Sequence, residues 1–189
     1  MRSGRSYGAA ALLAAFGLAF LASCSWIPFV GKKTSQKPAN PACPITVILH
    51  PLANTAVFNP TVAPGDLKPL NVAWYGIFSD VSATCTMSGG TLHAALDNVI
   101  VAERGPSARS NDVDLNYFVA LTGSDQSILG KKSFSVHITV PDKGKRGGVS
   151  DHVEVAFSTG GRPISDLNIT LGFQESPQSI EFYKNFRGR

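Results

Sequence analysis

From Pro44 onward, apolar and polar side chains alternate with a period of two through most of the chain. In SFSVHITV (133–140) Phe134, Val136, Ile138 and Val140 fall on one side, and Ser133, Ser135, His137 and Thr139 on the other. DHVEVAF (151–157) repeats the scheme with Val153, Val155 and Phe157, and DLNITLGF (166–173) with Leu167, Ile169, Leu171 and Phe173. Strict alternation of this kind is the mark of a strand with one buried face. LNYFVALT (115–122) sets Leu115, Tyr117, Val119 and Leu121 on a common side. ITVIL (45–49) does so with Ile45, Val47 and Leu49, and LNVAWYGIF (70–78) with Leu70, Val72, Trp74 and Phe78. In TLHAALDNVIVAE (91–103) the apolar parity moves from Leu92 and Leu96 to Val99 and Val101, which predicts a bulge or turn at Asp97-Asn98.

Segments rich in Gly, Pro, Ser and Asp separate these strands: 59–66, 87–90, 104–112, 122–127, 141–148 and 158–163. About seven strands with turn signals between them predict an all-β fold. The expected form is an antiparallel sandwich of the immunoglobulin-like or fibronectin-like kind. A barrel satisfies the same pattern and stays open as the alternative. One helix is expected after Glu175, in SPQSIEFYKNFR. Ser176 is its N-cap and Pro177 its first residue, and Ile180, Phe182, Tyr183 and Phe186 make a broad apolar side that docks on the sandwich or on a partner.

The first thirty residues follow a different rule. Arg2 and Arg5 precede AAALLAAFGLAFLA (9–22), which is wholly apolar or small. As a helix this run is about 21 Å long, short of the roughly 30 Å hydrocarbon core of a bilayer. A basic start, a short apolar run and a small-residue exit have the layout of a secretory signal. The exit Leu21-Ala22-Ser23-Cys24 resembles the lipobox of bacterial lipoprotein precursors. That resemblance implies cleavage before Cys24, a diacylglycerol on its thiol and acylation of the new N-terminus. The alternative is an ordinary cleaved signal or a short anchor helix with an incidental cysteine. In such lipoproteins an Asp after the lipidated Cys often marks retention at the inner membrane, and Ser25 here leans towards the outer membrane.

Four segments follow from this reading: a signal peptide (1–23), a lipidated N-terminus and tether (24–42), a β-sandwich (43–175) and a C-terminal helix and tail (176–189). The tether SWIPFVGKKTSQKPANPA is rich in Lys, Ser, Pro and Asn in its second half, with no apolar period. Charge changes little in this picture. The chain carries 17 basic and 13 acidic side chains, and two of the basic ones leave with the signal. A balance this close to neutral, without a clustered basic stripe, argues against nucleic acid as a partner.

Three cysteines are present. With Cys24 assigned to lipid, Cys43 and Cys85 remain as an even pair in an oxidising compartment, and a disulfide between them is expected. Two buried free thiols are the alternative. No CxxC spacing points to a metal site, and no motif implies a cofactor. If 133–140 and 151–157 pair as a hairpin, His137 and His152 share a face, a candidate two-histidine metal or proton site. Asp151 points the other way and is a poor third ligand. No G-x-S-x-G elbow, H-E-x-x-H, P-loop or dinucleotide fingerprint is present. GKRGG (144–148) reads as a loop between strands.

The run ERGPSARSNDVDLNYFVALTGSDQSILGKKSFSVHI, with CPITVIL upstream and LGFQESPQSIEFYKN downstream, resembles an uncharacterised family of small cell-envelope lipoproteins in alphaproteobacteria. The resemblance spans residues 43 to 184 and implies place and fold rather than an activity. The expected function is a non-enzymatic interaction or accessory module, anchored to the outer membrane through its N-terminal lipid and facing the periplasm. Its partner is another envelope protein or peptidoglycan. The competing readings are a periplasmic hydrolase or metal-binding protein using His137 and His152, and a structural lipoprotein bound to peptidoglycan.

Overall fold

Strands with one apolar face are stable only when that face is covered, and in a chain with so little helix a second sheet must cover it. The structure, a computed structural model, describes residues 43–186. Its strands are β1 (Ile45–Ile48), β2 (Asn54–Phe58), β3 (Val72–Ser88), β4 (Thr91–Arg104), β5 (Asp112–Gly123), β6 (Ile128–Thr139), β7 (Arg146–Ser158) and β8 (Leu167–Phe173), followed by helix α1 (Pro177–Phe186). Sheet I has the order β1-β8-β5-β6 and sheet II the order β2-β3-β4-β7. Neighbours are antiparallel except β1 and β8, which run parallel. The fold is thus an all-β sandwich with a short C-terminal helix, and not a barrel: β6 and β7 end their sheets without pairing to each other.

The core is the sum of the alternating faces. Leu92, Leu96 and Ile100 of β4 meet Leu115, Tyr117, Val119 and Leu121 of β5 and Ile169, Leu171 and Phe173 of β8. Each such side chain contributes roughly 1.5–3 kcal/mol on burial. Phe78 lies edge-on to Tyr117 at 5.6 Å and tilted against Phe173 at 4.6 Å, and Phe134 stacks on Tyr117 at 5.4 Å. The turn between β3 and β4 is Gly89-Gly90, both at positive φ (57° and 78°), as a two-residue hairpin of this twist requires.

Several predicted details shift. β2 is a five-residue strand that the pattern did not reveal, which brings the count to eight. β3 runs on to Ser88, because Ser82, Thr84 and Thr86 face outward while Val81, Ala83 and Cys85 face the core. The parity of β4 never changes: Leu92, Ala94, Leu96, Asn98, Ile100 and Ala102 are all buried, and Val99 and Val101 lie on the outer side. The irregularity falls instead on β3, between Phe78 and Asp80. Leu70 does not join Val72 and Trp74. It sits in a short turn, 73% exposed. Arg146–Gly148, expected in a loop, open β7 and pair with Val101–Glu103. In β1 the expected face is reversed. The register sets Thr46 beside Ile169 and Ile48 beside Leu171, so the even positions face the core and Ile45, Val47 and Leu49 point outward.

Helix α1 docks on the sandwich. The Ser179 N–H donates to the Ser176 hydroxyl (3.1 Å), an N-cap as expected. The Ser179 hydroxyl in turn accepts the Ala56 N–H of edge strand β2 (3.1 Å), and Thr55 of the same strand donates to Glu175 (3.1 Å). Phe182 is buried against Phe58, ring centroids 5.5 Å apart, in a small second core with Ala56, Leu67 and Val72. Tyr183 and Phe186 pack beside it, while Ile180 stays exposed.

Candidate functional site

Cys43 and Cys85 form a disulfide, with Cα atoms 5.0 Å apart. It ties the residue two before β1 to β3, and so links the two sheets. Cys24 lies outside the described residues.

The two candidate histidines are not brought together. His137 lies on β6, the last strand of sheet I, and His152 on β7, the last strand of sheet II. Each takes the outward parity of its strand, so they project from opposite faces of the sandwich. The predicted hairpin fails because β6 pairs with β5 and β7 with β4. Each histidine instead meets a carboxylate across its own ladder: His137 Nδ1 to Asp114 at 2.8 Å, and His152 Nδ1 to Asp97 at 2.8 Å. Asp114 first, then Asp112, raises the pKa of His137. Asp97 first, then Glu154, raises that of His152. Both pairs are open to solvent. Among the described residues no three His, Cys, Asp or Glu side chains are placed to hold a metal ion.

A polar cluster inside the sandwich was missed. Tyr117 of β5 is fully buried, and its hydroxyl donates to Asp151 Oδ2 on β7 (2.6 Å). Asn98 of β4 is also fully buried and donates through Nδ2 to the Tyr117 oxygen (3.3 Å). Asn98 Oδ1 is buried with no hydrogen-bond partner among the described residues. Burial, and then the Asp151 carboxylate, push the Tyr117 pKa up, so the phenol stays a neutral donor. Asp151 does face away from His152, as its parity predicts. A signal for the cluster existed in β4: an unbroken period from Leu92 to Ala102 places Asn98 inside.

A hollow of about 430 Å³ is lined by residues 84–86 of β3, 93–95 of β4 and 154–156 of β7 together with Lys132 of β6. Its side chains are mostly small or hydroxylic.

Sheet edges are the remaining surfaces with binding capacity, since an unpaired edge presents free N–H and C=O groups. Among the described strands there are four, and three are obstructed. α1 covers β2 through the Ala56–Ser179 bond. β6 carries Lys131 and Lys132, the second on the core-facing parity opposite Val119. β7 carries Asp151 on its core-facing parity. Lysines and inward-pointing charges are the usual means by which a native edge resists further pairing. β1 has neither. Its outward side chains Ile45, Val47 and Leu49 are 71%, 39% and 38% exposed.

No protein-family model matches the chain, and no curated protein matches it. Among solved structures it is similar to the Streptococcus agalactiae AgI/II polypeptide BspA variable (V) domain. That match has 9% identity over 64% of this chain and 72% of the other, with a TM-score of 0.18. A likeness at that level carries no argument about activity or partners.

Proposed function

We propose that this chain is an exported lipoprotein of the cell envelope. Acyl chains on Cys24 hold it at the outer membrane, and its β-sandwich faces the periplasm as a non-enzymatic interaction module. The observation that carries this reading is the allotment of the thiols. Cys43 and Cys85 are joined, a state that persists in oxidising compartments. Cys24 is left over at the end of a basic-then-apolar segment, directly after Leu21-Ala22-Ser23. The resemblances to lipoprotein precursors and to the alphaproteobacterial envelope family point the same way, and Ser25 leans towards the outer membrane rather than the inner. Several acyl chains on one residue give stable anchoring where one alone is marginal. If residues 25–42, which lie outside the described residues, form an extended tether, it reaches up to about 60 Å at ~3.1–3.6 Å per residue. Such a tether lets a rigid sandwich search the periplasm for a partner.

Labelled palmitate fed to expressing cells tests the anchor. The wild-type chain is expected to take up label and to fractionate with outer membranes, and Cys24→Ser is expected to lose both. Unlabelled, unprocessed wild-type chain in the cytosolic fraction sinks the proposal.

A further inference from the structure

β1 is the one unobstructed edge among the described strands, and its chemistry selects an occupant. Its residues Ile45-Thr46-Val47-Ile48, with Leu49 following, carry no charge. The Leu49 N–H donates to Leu171 of β8 (2.9 Å). Since backbone groups alternate sides along a strand, Val47 also turns its N–H and C=O towards β8, and Thr46 and Ile48 turn theirs to the open side. The outward side chains Ile45, Val47 and Leu49 are spaced symmetrically about Val47.

We propose that β1 pairs antiparallel with β1 of a second copy about a two-fold axis through Val47. Thr46 of each copy then lies opposite Ile48 of the other, and each such pair exchanges N–H···O bonds in both directions, which satisfies the free backbone groups of both edges. On the outer face Val47 meets its own counterpart, and Ile45 meets Leu49 of the other copy. Apolar cross-strand pairs of this kind are favourable, and no like charges are forced together. The contact joins the two copies of sheet I into one continuous eight-stranded sheet.

The rest of the molecule favours a second copy over an extended partner peptide. An added peptide would itself become a new, unprotected edge. Pairing of two β1 strands consumes both open edges at once. The remaining edges are covered by α1 or carry Lys131, Lys132 and Asp151. The isologous contact therefore closes at two copies and does not grow into a filament. A four-residue strand buries less than the roughly 1,200 Å² of a stable interface, so the dimer is a weak one.

The register gives a sharp test. Val47 forms a non-hydrogen-bonded pair with its counterpart, where opposing Cβ atoms come within about 4.5–5.5 Å and a disulfide closes with little adjustment. Ile45→Cys, opposite Leu49, has no thiol across from it. The full chain, solubilised in mild detergent, is exposed to a gentle oxidant as wild type, Val47→Cys and Ile45→Cys, and linked peptides are mapped by mass. Both positions are exposed, so folding is unaffected, as circular dichroism will verify. At least tenfold more linkage through position 47 than through position 45 is expected. No linkage at 47, or equal linkage at both positions, overturns the proposal. Peptide mapping keeps any bridge through Cys24 separate, so the outcome is independent of the lipid at that residue.

Discussion

At the scale of single residues the side chain that bonds one sheet to the other through the core is Tyr117. It reaches across from sheet I and donates a hydrogen bond to Asp151 on sheet II, while Asn98 donates to the Tyr117 oxygen. Tyr117→Phe keeps the ring in its stack and removes the hydroxyl, leaving the half-buried Asp151 and the fully buried Asn98 without that partner. The loss is expected at about 1–3 kcal/mol at neutral pH, read from urea unfolding. The pH dependence has a definite sign. Tyr117 has its pKa raised in the folded chain, so its contribution is fully present below the unfolded value near 10 and is lost as the pH rises above it. The stability gap between wild type and Tyr117→Phe is therefore expected to narrow above about pH 10. A gap that stays constant to pH 11 argues against the neutral phenol as the bridging group. This residue was only half legible in the sequence. Its apolar neighbours Leu115, Val119 and Leu121 placed it in the core, but a tyrosine on such a face does not announce its partner. Asn98 was misread because Val99 and Val101 suggest a change of face, although the period from Leu92 to Ala102 is unbroken and pairing with β3 and β7 holds it fixed.

At the scale of elements, alternation is a good guide where a strand has one buried side and a poor one where both parities are apolar. β6, β7 and β8 were readable for the first reason. β1 was misread for the second: Ile45, Val47, Ile48 and Leu49 occupy both parities, and the pairing with β8 decides between them. The separation of β6 and β7 into different sheets was also out of reach, because a connection of a few residues serves a hairpin and a sheet-to-sheet crossing equally well. Arg104, the last residue of β4, shows how the following loop is held. It donates to the Ser110 carbonyl (2.7 Å), to Asn111 Oδ1 (2.8 Å) and to the Val140 carbonyl (3.1 Å), and its guanidinium lies 4.8 Å from the Trp74 ring centroid. The run from Glu103 to Asp112 is thus a structural clamp that binds the loop after β4 to the end of β6. Helix α1 was legible as a helix from Ser176 and Pro177, but not as a cover for an edge. Ser179→Ala tests that role. It strips the Ala56 N–H of its partner while leaving the N-cap and Phe182 in place. An expected cost of about 1–2 kcal/mol should be accompanied by faster amide exchange at Ala56. Unchanged exchange there means that the helix packs on β2 without closing its edge.

At the scale of the whole molecule the disulfide decides how the open edge is held. β1 is four residues long, and it is attached to the sandwich by its ladder to β8 and by the bridge from Cys43 to Cys85, 42 positions further along the chain. A bridge closing a loop of that length stabilises by about 4 kcal/mol on the chain-entropy argument. The double variant Cys43→Ala/Cys85→Ala is expected to lose roughly that amount in urea unfolding, and the loss should be uneven. Strands β3 to β8 retain their mutual ladders, whereas β1 keeps only its bonds to β8. Exchange of the Leu49 amide should therefore rise before that of core amides such as Leu96 and Val119. If the edge of β1 is the contact between copies, linkage through Val47→Cys should fall with it in the same background. A uniform loss of protection across the sandwich would mean that the bridge acts on the unfolded chain alone. A local loss makes it the fastener of the one unobstructed edge among the described strands, and ties the competence of that edge to conditions in which the bridge persists.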